Sequence, residues 1–407
     1  MSTKSTEKTN QDAPAWSAGF LLVGMLLGLT GSLLIAWHYH IDVDPRLIAL
    51  HFLGLNAGYV IAAATAQRLI TSFGVRPLAV TSCALAAASL LALSFVAPPV
   101  PAAWRILGLA CVGAAAGGLV AALLHVLQPE FERTPAATVN LAGVLFGCGC
   151  LLSTLMVALT YFVSSVAIQT GLLAIVPLLF GGVYIASKRR AVLGHSIQND
   201  ALRDLRSVAA VLFSLLLFVQ FGNEWAIAGW LPLYLIHRLG SNPAWAIFAL
   251  AGYFLALMLG RLGVRALLPR INHAKLLMAS TAVAMIGYLL LSFTTALPGA
   301  WIAVIVIGAG FAPIFPLIAE TLDERFSYHP GFYNSLFSIA ITGAMCIPWL
   351  LGYVDSYLGV QYVMLIPALG SIAVLVLALL IMLEAHLMGG TKGNQIAQTN
   401  AAAAGKR

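Results

Sequence analysis

Runs of about twenty apolar residues recur along almost the whole length of this sequence. An α-helix rises 1.5 Å per residue, so about twenty such residues cross the hydrocarbon core of a bilayer. Lipid offers no hydrogen-bond partner to a bare peptide group, so helices are the form such runs take there. Measured this way, twelve spans fall at about 16–37, 46–66, 77–97, 103–127, 137–162, 166–187, 208–235, 243–263, 275–295, 298–319, 332–354 and 361–384. Composition agrees: 61% of residues are hydrophobic and 9% are charged, where a soluble domain carries about 25% charged residues. The expected fold is an all-α membrane protein of twelve transmembrane helices in two six-helix bundles.

Charge gives the orientation, because Lys and Arg collect on cytoplasmic loops. With the N-terminus inside, only Arg46, Arg105 and Arg238 of the 21 Lys and Arg fall outside. The other eighteen (21 − 3) mark the cytoplasmic side, and an even number of spans puts both termini there. The net charge of +7 therefore reads as topology and calls for no nucleic-acid partner. The expected divisions are a tail over 1–15, a first bundle over 16–187, a basic central loop over 188–207, a second bundle over 208–386 and a tail over 387–407. The polar start lacks the pattern of a cleavable signal peptide. The last stretch, from Gly389, offers no apolar face to pack and is expected to be disordered.

Enzymatic chemistry is not expected. Cys83, Cys111, Cys148, Cys150 and Cys346 all lie in apolar runs, which fits neither a disulfide framework nor a zinc site. There is no Walker loop, metal-spaced cluster or triad, so neither cofactor nor metal is expected.

The two halves echo each other. Gly74-Val75-Arg76 and Gly263-Val264-Arg265 lie 189 apart, Trp37 and Trp230 lie 193 apart, and Asn140 and Asn334 lie 194 apart. Parallel repeats of six helices are the plan of a secondary transporter whose site lies at mid-membrane between the halves.

Particular strings sharpen that plan. Phe221-Gly222-Asn223-Glu224 with Gly229-Trp230-Leu231-Pro232-Leu233-Tyr234 resembles the seventh helix of the fucose-permease-like sugar transporters, a branch of the major facilitator superfamily. Gly308-Ala309-Gly310-Phe311-Ala312-Pro313-Ile314-Phe315-Pro316 resembles that branch's tenth helix, and Asn140-Leu141-Ala142 with Phe146-Gly147-Cys148-Gly149 its fifth. Gly58-Tyr59 and the Arg68 to Arg76 connection resemble its second helix and signature loop. The resemblance implies the major facilitator fold, alternating access and a sugar-like cargo. One departure matters. The branch places acids in helices one and four, whereas the matching positions here are Gly31 and Val120, and neither span holds Asp or Glu.

Glu224 is the acid at mid-depth in an apolar run. An ionisable group there is costly, by about 3 kcal/mol on insertion scales, which makes it a functional candidate. It is expected to carry the coupling proton; a structural acid bonded to a neighbouring helix is the competing reading, and sodium is the less favoured ion. Gln220 and Asn223, at i−4 and i−1 from Glu224, are expected to share its face and bind substrate hydroxyls; interhelical bonding is their alternative role. Asn56 and Tyr59 of the second span, Phe311 and Phe315 of the tenth, and Trp230 complete the expected substrate site. Asn140 and Asn334, with Arg68, Arg76, Arg261 and Arg265, lie where an inner gate would be braced; capping and topology marking are their simpler roles.

The expected function is uptake of a small neutral polar solute, foremost a monosaccharide, with a proton, by a monomer in the lipid bilayer of a bacterial inner membrane. A proton-coupled exporter of amphipathic compounds, an uncoupled facilitator and a non-transporting sensor stay open as alternatives.

Overall fold

In a computed structural model the chain is described for residues 13–404, apart from 42, 188–206, 268–270, 272 and 327–328. Among the described residues, eleven helices are each long and apolar enough to span a bilayer, and a bent pair makes a twelfth. The spans are Ala13–Ala36 (broken), Pro45–Phe73, Val75–Phe95, Ala102–Val126, Pro135–Thr160, Val166–Ala186, Val208–Leu239, Pro243–Leu267, His273–Phe293, Leu297–Leu322 (broken), Pro330–Leu358 and Val360–Glu384.

The helix ends follow local chemistry. Pro45, Pro135 and Pro330 each start a span where the missing N–H costs nothing. Asp44 caps the second span by accepting from the Arg46 N–H at 2.8 Å. Ser207 caps the seventh by accepting from the Ala210 N–H at 3.1 Å, and Gly240, at φ 64°, ends it in the left-handed conformation.

Two breaks sit where the sequence weakens a helix. The first span bends by 42° at Leu29, inside Gly28-Leu29-Thr30-Gly31, where glycine and hydroxyl side chains loosen the ladder. The tenth breaks at Ala312-Pro313, since proline removes a donor and clashes with the preceding turn. The last helix is drawn over Leu365–Ala404, past the end of the twelfth span at Glu384. No proline interrupts the part beyond Glu384, and its Ala401–Ala404 run has the highest intrinsic helix propensity. The N-terminal tail to residue 12 and most of the central loop lie outside the described residues.

Helix contacts reproduce the repeat. In the first half the first span packs on the fifth, the second on the fourth, and the third on the fourth and sixth; in the second half the seventh packs on the eleventh, the eighth on the tenth, and the ninth on the tenth and twelfth. The halves meet through the second span on the eleventh and, symmetrically, the fifth on the eighth. This is the arrangement of two six-helix bundles.

Candidate functional site

Outer and inner are named here by the charge distribution of the sequence. The outer half of the interface is closed. Pro232 lies inside the seventh span and has no N–H, so the Ala228 carbonyl lacks its helical donor. That carbonyl faces Gly31 of the first span so closely that a Cβ would overlap it. Gly229 gives its space to the Phe52 ring, and Gly352 of the eleventh span lies against Pro45 and Ala49 of the second. Polar links seal the same end. Arg46 Nε donates to Ser356 Oγ at 2.9 Å, its guanidinium lies 4.6 Å from the Tyr357 ring centroid, and His237 Nε2 meets the His40 carbonyl at 3.1 Å.

Below this seam the interface opens into a cavity lined by both halves, with Phe20, Tyr59, Val120 and Phe146 on one side and Phe221, Glu224, Trp225, Arg261, Phe315 and Phe337 on the other. It has about 50 Å³ in which the centre of a water molecule fits. One water needs about 10–15 Å³ on that measure, so this closed state has room for a few waters. The walls are aromatic: Phe146 meets Trp225 edge-on across the two halves at 6.2 Å, and Phe315 does so with Phe221 at 5.4 Å and Phe337 at 6.0 Å.

Glu224 is not a lone acid. Its Oε2 accepts from Arg261 Nη2 at 3.3 Å, with the two side chains 5% and 4% exposed. Its Oε1 accepts from Gln220 Nε2 at 3.1 Å, the i−4 contact that helix geometry allows. Arg261 also donates through Nη1 to the Gly143 carbonyl of the fifth span at 3.0 Å, so one guanidinium joins the acid to the other half. Its carbon lies 5.8 Å from the Phe315 ring centroid. The backbone beside the acid is held as well: Tyr253 Oη donates to the Glu224 carbonyl at 3.2 Å and Tyr288 Oη to that of Asn223.

The other expected residues separate into groups. Tyr59 and Phe315 line the cavity with Glu224, and the Tyr59 hydroxyl has no partner. Gln220 is buried behind the acid and does not line the cavity. Asn223 departs from the shared face: adjacent helical residues point about 100° apart, and its side chain lies against Gly370 of the twelfth span. Phe311 packs on Tyr288 inside the second bundle, 5.9 Å between centroids. Trp230 donates from Nε1 to the Pro348 carbonyl at 2.7 Å, bonding the seventh span to the eleventh. Asn56 is buried, with its carbonyl oxygen unpartnered.

Among the expected gate residues, Asn334 Nδ2 donates to the Ala63 carbonyl of the second span at 3.1 Å, a bond between the halves. Asn140 Oδ1 has no partner. Arg68 and Arg76 are exposed, and the Arg265 side chain lies outside the described residues. Arg261, unlike Arg68 and Arg76, is buried and stands in the cavity wall beside Glu224. Its helix continues to Leu267, six residues on (267 − 261), or ~9 Å along the axis, which places it inside the bundle. The signal was Arg261 itself, between Leu259-Gly260 and Leu262-Gly263-Val264 in an unbroken apolar stretch. Sequence reasoning also missed Phe146 and Phe337 as walls, and aromatic residues in apolar helices carry no distinguishing signal.

A profile of the Major Facilitator Superfamily matches residues 16–347. The chain belongs to that superfamily. No curated protein matches it. Among solved structures, the D-xylose-proton symporter superposes with a TM-score of 0.75 at 13% identity, covering 91% of this chain and 96% of that one. The E. coli fucose:proton symporter FucP gives 0.66 at 20% identity, covering 91% and 98%. The nucleoside transporter NupG gives 0.68 at 14%, covering 92% and 98%. At such identities the likeness establishes the fold, and the fold hosts many cargoes.

Proposed function

We propose that this chain is a proton-coupled secondary transporter that moves a small organic solute, with the Glu224–Arg261 pair as its coupling element. The observation that carries the reading is the pair itself: an acid and a base, both buried, facing a cavity to which both halves contribute. An intramembrane ion pair is costly, and where such pairs line a cavity between repeats they mark ion and substrate pathways. Protonation of Glu224 would release Arg261, which also holds the Gly143 carbonyl, so the state of the acid reaches the packing of the other half. The bundles would then rock about this site, with the Gly31–Ala228 contact as the outer closure and Asn334–Ala63 as part of the inner one.

A monosaccharide is a second reading, supported by the cargoes named for FucP and the xylose symporter. A sugar presents hydroxyls on every side, and among the described lining residues the cavity supplies side-chain polar atoms from Tyr59, Glu224, Trp225 and Arg261. The proposed setting is a monomer in a bacterial inner membrane with both termini in the cytoplasm, which the charge asymmetry supports.

The test is uptake into proteoliposomes under an inward acid gradient, screened with radiolabelled sugars, nucleosides and organic acids. Glu224→Gln should abolish uphill accumulation while retaining exchange of the same solute at equal pH. Wild-type accumulation by that variant would remove Glu224 from the coupling step.

A further inference from the structure

The polar groups of the cavity wall that have no partner include donors. Both carboxylate oxygens of Glu224 are already engaged, by Gln220 and Arg261. Arg261 Nε and the Tyr59 hydroxyl, by contrast, are buried and have no partner. Arg261 is 4% exposed, and both residues line the cavity. A guanidinium N–H can only donate, and a hydroxyl can donate. The site as built therefore asks for an acceptor, and beside a guanidinium the best acceptor is an anion, since Arg forks match carboxylate and phosphate oxygens. A cationic cargo would meet Arg261 beside the acid, and each Glu224 oxygen it could reach already accepts one bond.

A second cavity supplies the other half of the description. It shares Phe315 and Phe337 with the first and continues toward the inner end between Val139, Leu217, Ile318 and Leu336. No polar atom is exposed in its walls. A hydroxylated ring would be stripped of water along this track with nothing in exchange, at a cost of about 1–3 kcal/mol for each unpaired group. An apolar body is favoured there, by about 25 cal/mol per Å² buried.

We propose that the cargo is an amphipathic organic anion with one acidic group. That group pairs with Arg261 in place of Glu224 and accepts from Tyr59, while the apolar body lies in the aromatic chamber and its track. The inference rests on the coupling reading above and names the substrate class. Charge and proton balance follow directly. The anion brings −1, and Glu224, released from Arg261, takes one proton from the side to which the site is open. The loaded site thus has the same net charge as the empty one, and symport of one monoanion with one proton is electroneutral. On unloading, the proton leaves Glu224 as its carboxylate returns to Arg261. The titratable groups around the pair are Tyr59, Cys150, Tyr253 and Tyr288; these types are neutral in water near pH 7, which leaves Glu224 to carry the exchange.

The experiment is ligand binding to the purified full-length chain, read by thermal shift and by quenching of its tryptophans, with proton uptake followed by a pH indicator in weak buffer. The probes are benzoate, phenylpropanoate and octanoate, their primary amides, octyl phosphate, fucose and xylose. The expected result is that at least one acid binds, its amide binds at least ten-fold more weakly, and the sugars do not bind. One proton is taken up per monoanion bound. Arg261→Gln should lose anion binding, and Glu224→Gln should bind without proton uptake. Should Arg261→Gln not fold, Arg261→Gln/Glu224→Gln leaves no charge unpaired and is expected to lose anion binding equally. Octyl phosphate binding, with or without the carboxylates, supports the anion and identifies the head group. Amides or sugars binding as tightly as the acids, unchanged binding in the variants that lack Arg261, or no binding of any anion would overturn the proposal. Anion binding without proton uptake would instead sink the coupling reading and leave the substrate class standing.

Discussion

Removing one member of the Glu224–Arg261 pair should cost far more than removing both. In Arg261→Met the Glu224 carboxylate stays buried and keeps only the Gln220 amide. Breaking a buried pair in this way costs about 3–5 kcal/mol. The low end, about 3 kcal/mol, applies here because a single contact at 3.3 Å joins the charges, longer than the roughly 2.7–2.9 Å of a strong charge-assisted bond. The Gly143 carbonyl also loses its donor, adding about 1 kcal/mol. Arg261→Met/Glu224→Leu leaves no orphan charge, and such replacements are near neutral or stabilising. The assay is thermal unfolding of the purified proteins in one detergent at one pH. The expected order of melting temperatures is wild type close to the double variant, with Arg261→Met well below both. A double variant as unstable as Arg261→Met would refute the reasoning, because the loss would then come from packing and not from an unpaired charge.

Other substitutions separate seam, scaffold and cavity. Gly31→Val places methyl groups against the Ala228 carbonyl and should destabilise the outer-closed state by about 1–3 kcal/mol; external maleimide labelling of a cysteine placed at Ser32 should rise at least several-fold, and unchanged labelling would argue against the seam. Trp230→Phe removes the bond to Pro348 and should lower stability by about 1 kcal/mol while ligand affinity holds; Trp225→Phe, in the cavity wall, should shift affinity instead. Asn334→Ala frees the Ala63 carbonyl between the halves and should speed amide hydrogen exchange near Ala63 in the second span; exchange at the wild-type rate would count against an inner closure there.

The architecture was legible because hydropathy and repeat arithmetic are one-dimensional signals that survive folding. The break in the tenth span was written in its proline, and an acid in an apolar run marked one residue of the cavity wall. What stayed hidden depended on which side of a helix faces which neighbour. Asn223 and Glu224 are adjacent in sequence yet face Gly370 and the cavity respectively, and spacing alone grouped them together. The depth of Arg261 was hidden for a related reason. A basic residue near a cytoplasmic loop usually marks topology, and only the unbroken helix beyond it shows that this one is inside.

The two halves share a scaffold but divide the labour. By the repeat offset near 192, the counterpart of Glu224 in the first half is Ser32 (224 − 192), whose hydroxyl donates to the Leu29 carbonyl within its own helix. Both halves thus supply glycines to the seam and aromatic residues to the wall, and the second alone supplies the charged pair at the cavity. The proposed coupling requires that the charge be felt across the interface, and Arg261 touches both sides, holding Glu224 by Nη2 and Gly143 by Nη1. Arg261→Lys tests that bridge. An ammonium keeps the charge beside Glu224 but lacks the planar fork that reaches two acceptors in fixed directions. Stability should stay close to wild type, because no buried charge is left unpaired. Solute should still bind, while the rate of proton-driven uptake falls at least ten-fold. Uptake at the wild-type rate would mean that charge alone suffices and that the contact with Gly143 transmits nothing.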